Sequence, residues 1–258
     1  MINTMKSRKS IRKYKEKPVS DQDIEQIRQF IKEAKPLNKE TSIDVILFED
    51  GDKIKQTFKG IAKLYAKVKA PHYLAFTSEK KEGYLENIGF IGEQIILKMT
   101  KLGIGTCWVG SPIDQQVFSN ITQVKNNQSY VILIAFGYPE TELLSITNRK
   151  RLKNEEFVSG NIDNIHTPIL EALNIAPSAV NSQPWRVVIE GNTWHLSLNW
   201  KNTLNKKILY TMNQIDMGIG ISHIVIASEE LGYNVSINKK NIDNLKKQDY
   251  IASITFEK

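Results

Sequence analysis

Three short stretches hold the residue types and spacings that could do chemistry. In "SRKSIRKY" (7–14), Arg8, Ser10 and Arg12 alternate, so in an extended segment they face one way and offer two guanidinium forks and a hydroxyl. A phosphate would suit such a set, because guanidinium has a bidentate geometry that lysine lacks. A solvated basic tail is the competing reading. In "APSAVNSQPW" (176–185), Asn181 and Gln183 carry carboxamides that donate and accept at once, matching the alternating N–H and C=O edge of a heterocycle such as a flavin pyrimidine. Pro177 and Pro184 stiffen the loop, and an Asx-type turn leading into a strand is the plainer alternative. In "LGIGTCWVGSP" (102–112), Gly103, Gly105 and Gly110 let backbone N–H groups approach a planar ring closely. Their order differs from the G-x-G-x-x-G of a dinucleotide loop, which is excluded, and a helix terminus with a turn would also account for them. Cys107 has no catalytic signature around it and reads as structural.

The elements that must position these stretches occur twice along the chain. Ser20, with Asp21 and Asp23 after it, starts a helix in which Ile24, Ile27, Phe30 and Ile31 recur at helical spacing up to Ala34. Strands are expected at 43–48 and 72–77, with a weaker helical segment around 53–67 between them. A buried helix follows from about Tyr84 to Leu102, stopped by Gly103, and a core strand, "YVILIAFG", ends the half. The second half repeats the order: a helix at about 165–174, strands at 185–190 and 194–200, a long helix at about 213–231 stopped by Gly232, and a strand at 250–256. The polar, basic "TELLSITNRKRLKNEE" joins the halves as a linker. The expected organisation is therefore a duplicated α+β unit, with halves at 1–150 and 151–258.

Composition narrows the partners. The net charge of +7 is uneven, with Lys6, Arg8, Lys9, Arg12, Lys13, Lys15 and Lys17 crowding the first 17 positions, which suits an anionic ligand. A nucleic-acid arm would look similar, but no zinc-finger or RNP motif accompanies it, so nucleic acid is not the expected partner. One cysteine excludes a disulfide framework or a cysteine metal cluster, and His72, His166, His195 and His223 lack paired metal-ligand spacing. No apolar run approaches the roughly 20 residues that span a bilayer, and none follows the basic start as a signal peptide would. A cytoplasmic protein with no membrane partner is expected.

Together the three stretches resemble the nitroreductase family of FMN-dependent oxidoreductases. Its members show a basic R-R/H-S-x-R/K start, a P-S-x-x-N-x-Q-P-W loop and a G-L-G-x-x-W-x-G-like segment after a long helix, patterns that "RKSIR", "PSAVNSQPW" and "GIGTCWVG" match. Ordinary members carry all three motifs in one domain and form intertwined homodimers with FMN at the interface. Here the motifs are divided: the first half has "KPLNKETSIDV" where the loop should be, and the second half lacks R-x-S-x-R at its start. The chain thus resembles the single-chain, pseudo-dimeric nitroreductases, which implies a nitroreductase-like fold, a monomer and one FMN per chain.

The resemblance also implies roles for residues. Arg8, Lys9 and Ser10 would bind the FMN phosphate or ribityl chain, and Arg12 would reach the N1/O2 side of the ring, where reduction places negative charge. Pro177, Ser178 and Asn181 would contact the ring, and the backbone at Trp108, Val109 and Gly110 would approach N5. In "NRKR" (148–151), Arg149 and Arg151 are phosphate candidates, with a solvated linker as the equal alternative. No catalytic acid–base residue is expected from the protein. NADH or NADPH would donate hydride to flavin N5, and a small-molecule acceptor such as a nitroaromatic or quinone would be reduced in a ping-pong cycle. The alternative is an FMN-binding storage or sensor protein without significant turnover.

Overall fold

A seven-residue run with every side chain buried, "HYLAFTS", has to lie inside a sheet rather than at its edge. The computed structural model, which describes residues 1–58, 68–144, 148–164, 166–199, 206–239 and 249–258, places it there. Two units divide the chain: Ser7–Ser145, and Ile146–Lys258 together with Met1–Lys6.

Helix α1 (Ile2–Ser7) opens the chain with Met5 fully buried. In the Ser7–Ser145 unit, α2 (Asp21–Glu33) is capped by Ser20, whose hydroxyl accepts from the Asp23 N–H at 3.2 Å, with Asp21 and Asp23 complementing the helix dipole. Strand β1 (Ile43–Phe48) leads to α3 (Gly51–Lys55), and β2 (His72–Ser78) leads to α4 (Tyr84–Lys101). Then come β3 (Gly105–Val109), α5 (Gln115–Ile121) and β4 (Ser129–Gly137). The strands form one antiparallel sheet in the order β1-β2-β4-β3. Ile11, Tyr14, Phe48, Ile54, Tyr73, Phe118 and Leu133 build a core in which α3 and α5 take part. Helix α4 packs against β3.

In the other unit, α6 (Asn154–Phe157) runs into β5 (Val158–Gly160), followed by α7 (Thr167–Asn174), β6 (Trp185–Glu190) and β7 (Thr193–Leu198). A long helix, α8 (Lys206–Glu230), precedes β8 (Asn234–Asn238) and β9 (Asp249–Glu257). The sheet order is β5-β6-β7-β9-β8, with β5 parallel to β6 and the other pairs antiparallel. The parallel strand β5 lies just past the linker and adds to the otherwise antiparallel repeated order.

The duplication extends to register. Ile43 pairs with Ser78 and Trp185 with Leu198; Gly105 pairs with Gly137 and Asn234 with Glu257. Each central pair has one register shift at the same place, between Phe76 and Thr77 in β2 and between Leu196 and Ser197 in β7. A bulge repeated at one address indicates a repeated architecture, because its position is set by local twist and is otherwise free to vary. The matching faces differ in chemistry. Tyr73, Ala75, Leu133 and Ala135 belong to the apolar core of the first sheet. At the corresponding positions of the second, Thr193 bonds Thr255 at 3.1 Å and His195 bonds Ser253 at 2.7 Å.

Several elements depart from the sequence reading. Helix α8 starts at Lys206 instead of about 213. Residues 105–109, read as part of a turn, form strand β3, and 234–238 form β8. Of the helical segment expected around 53–67, α3 accounts for the beginning, and 59–67 lie outside the described residues. Among the described residues no helix is long and apolar enough to cross a membrane.

Candidate functional site

The candidate residues fall into two clusters, one in each unit. In the first, residues 8–12 run alongside β3: Ser10 bridges Thr106 in parallel, and the Ile11 N–H donates to the Thr106 carbonyl at 2.8 Å. Ile11 turns inward and is 5% exposed, so Arg8, Ser10 and Arg12 share the other side. All three act on Cys107: burial raises its thiol pKa, while Arg12, Arg8 and a hydrogen bond from Ser10 oppose the rise. Arg12 is exposed, Lys9 donates to the Glu142 carbonyl at 3.0 Å, and Arg8 is buried. The Arg8 Nε lies 3.8 Å from Oε1 of Glu93, a fully buried carboxylate on α4. Burial lowers the Arg8 pKa, and the charge of Glu93 counters that.

Glu93 also accepts from the Trp108 indole at 3.2 Å, so one buried carboxylate touches two of the candidate residues. The Trp108 ring fits because Gly92 has no side chain; a Cβ there would stand 2.3 Å from the indole Cη2. Two of the three glycines of this segment have structural duties. Gly103 stops α4 at φ +77°, and Gly105 makes room for Ile11, whose Cγ1 would lie 2.7 Å from an added Cβ. Gly110 remains exposed, next to the half-buried Trp108 and the buried Val109.

The second cluster is the loop 176–185. Val180 (φ +49°), Asn181 (φ +57°) and Gln183 (φ +49°) are all left-handed, which costs roughly 1–2 kcal/mol for each non-glycine residue. A β-branched valine there is the least comfortable of the three. Its side chain is 86% exposed, although Pro177 and Pro184 on either side are buried. Neighbours hold the strained path in place. The Gln183 N–H donates to Ser178 Oγ at 2.9 Å, the Ala179 N–H to both carboxylate oxygens of Asp216 at 3.1 Å, and the Ser182 hydroxyl to Asn213 Oδ1 at 2.9 Å.

The linker holds the other side of the loop. The Asn181 and Gln183 carboxamides, read as a pair that recognises a heterocycle edge, bind the chain itself. Asn181 donates to the Lys150 carbonyl at 3.0 Å and accepts from Arg151, while Gln183 accepts from the Leu152 N–H at 2.8 Å and donates to the Asn181 carbonyl at 3.3 Å. Arg151 also bonds the Ile175 and Ala176 carbonyls just past α7, and Arg149 bonds the Lys6 carbonyl at 2.8 Å. Cations at these points satisfy carbonyls that a helix end leaves unpaired.

Sequence reasoning missed Asp216, Asn213 and Glu93. Asp216 is 4% exposed, and burial raises its carboxyl well above the usual range despite the Ala179 N–H and the Ser182 hydroxyl. A signal was available in α8, where Asn213 and Asp216 stand at i, i+3 and so share the face turned toward the loop.

Lys9, Ser10 and Arg12 supply cations and a hydroxyl of the kind that the phosphate of a flavin mononucleotide requires. The family profile described as "Putative TM nitroreductase" matches residues 1–228. Among solved structures, a "putative nitroreductase" from Thermotoga maritima MSB8 is 22% identical with a TM-score of 0.66, over 99% of this chain and 92% of that one. An FMN-dependent nitroreductase from Clostridium difficile R20291, also 22% identical, has a TM-score of 0.51 over 63% of this chain and 100% of its own. No curated protein matches the sequence. The fold is nitroreductase-like, and its two sheets repeat one strand order within a single chain.

Proposed function

Since the chain belongs to the "Putative TM nitroreductase" family, we propose that it is an FMN-dependent NAD(P)H oxidoreductase acting on nitroaromatic or quinone-like acceptors. Family membership supports the oxidoreductase role, and the FMN-dependent description of the Clostridium difficile structure supports the cofactor. The observation that carries the reading is the division of the motifs between two units of one repeated strand order. In this proposal the chain, read as halves 1–150 and 151–258, binds one FMN.

Lys9 and Ser10 bind the phosphate or ribityl chain, with Arg8 held beside them by Glu93. Arg12 would supply positive charge to the N1/O2 side of the ring. Pro177, Ser178 and Asn181 are the loop residues that would contact the ring, and the backbone at Trp108, Val109 and Gly110 is the segment that would approach N5. Arg149 and Arg151, the linker candidates for phosphate, also hold main-chain carbonyls. When bound, FMN supplies two-electron transfer between nicotinamide and acceptor in a ping-pong cycle. The protein's part is position and charge.

The deciding experiment is an absorption spectrum after FMN loading and desalting, followed by anaerobic NADH or NADPH. A retained flavin band near one per chain that bleaches with nicotinamide is expected. Retention without bleaching would favour a storage or sensor protein, and a folded chain that retains no flavin would overturn the cofactor assignment. Arg12→Gln is expected to lower the flavin midpoint potential and slow turnover; unchanged values in both would remove Arg12 from its role.

A further inference from the structure

Asn87 and Asp216 occupy one address in the two halves. Each stands sixteen residues ahead of the left-handed glycine that stops its helix, Gly103 and Gly232. Each accepts from the backbone N–H of a residue six positions before the first strand of the repeated sheet order. The Leu37 N–H donates to Asn87 Oδ1 at 2.7 Å, and the Ala179 N–H donates to both Asp216 oxygens at 3.1 Å. Both side chains are buried, Asn87 completely. Two buried polar side chains at the same helical position, each holding the same point of the loop before the sheet, form a repeated device. Separate accidents of packing would not be expected to agree at both ends of the bond.

We propose that this position is a loop clamp, and that Asp216 is the positioning residue that fixes the APSAVNSQPW loop in its cofactor-competent path. Cofactor competence rests on the functional reading above; the clamp itself does not. In the first half the clamp holds "KPLN", which carries no binding motif, and Asn87 also donates to the Asn38 carbonyl at 2.7 Å. In the second half it holds the residue that leads directly into the left-handed pair Val180–Asn181. Asp216 therefore acts on the loop through the Ala179 N–H, and Asn213 assists through Ser182.

The test uses the full-length chain and four variants. Without FMN, Asp216→Ala is expected to speed amide hydrogen exchange in segment 178–183 by about tenfold while exchange in α4 stays unchanged. Asp216→Asn should remain close to wild type, because asparagine makes the corresponding bond in the first half. With FMN, Asp216→Ala is expected to weaken binding by about tenfold, tracking the loss of loop protection, while Asn87→Ala leaves binding unchanged. If Asp216→Ala does not fold, Ala179→Pro removes the same hydrogen bond from the donor side and should show the same exchange signature. Wild-type exchange in the loop of Asp216→Ala, or of Ala179→Pro where that replaces it, would overturn the clamp. So would an Asp216→Asn loop as mobile as that of the alanine variant. Faster exchange with unchanged FMN affinity would overturn the cofactor role and leave the clamp standing. Failure of the wild type to bind FMN would overturn the functional reading alone, since the exchange measurement does not depend on it.

Discussion

A buried acid such as Asp216 lowers stability wherever it must ionise. Its folded pKa is raised above the unfolded value, so between the two the native state binds more protons than the unfolded chain. Stability contributed by this group is therefore greatest below the unfolded carboxylate range near pH 4 and falls as pH rises through the raised native pKa. Asp216→Asn removes that dependence. The melting temperature of the variant relative to wild type is expected to increase from about pH 4 to neutral, and a constant difference would show that the acid does not titrate as described. Val180 offers a second residue-level test. Glycine accepts φ +49° without a Cβ clash, so Val180→Gly is expected to stabilise by up to about 1 kcal/mol in urea denaturation, once its own added chain entropy is offset. A loss of stability would mean that the exposed valine makes contacts worth more than its strain.

Elements were legible in the sequence to the extent that local pattern determined them. The Ser20 cap fixed the start of α2, and the strands at 43–48 and 185–190 have the expected bounds because alternation and flanking turn residues agree there. Strand β3 was hidden because the glycines in and around it looked like a ligand loop, whereas Gly105 serves the packing of Ile11. The clamp was hidden because Leu37 and Asn87 are fifty residues apart, and no local period reports such a contact. The candidate site was legible as three motifs and their division, while the use of the Asn181 and Gln183 carboxamides in holding the linker depends on tertiary structure. Helix α4 and β3 offer a test of packing between elements. Gly92→Ala sets a Cβ 2.3 Å from the Trp108 ring and is expected to cost about 1–3 kcal/mol, with weaker FMN retention as Trp108 moves. Wild-type stability and retention together would show that the indole adapts freely.

For the whole molecule, a chain that repeats one strand order is expected to need no partner subunit. Light scattering is expected to give a mass near the 29.5 kDa of one chain, and twice that mass would contradict the monomer. The shared register and shared bulge have a further consequence, for refolding. β4 and β9 are geometrically interchangeable in hydrogen bonding, so either could dock beside the wrong neighbour while the chain is still collapsing. Side-chain chemistry discriminates between them: a β4 strand misplaced beside β7 would set Leu133 against His195, leaving the imidazole without Ser253. The polar ladder of the second sheet thus acts as a sorting code, rejecting the wrong strand where backbone geometry cannot.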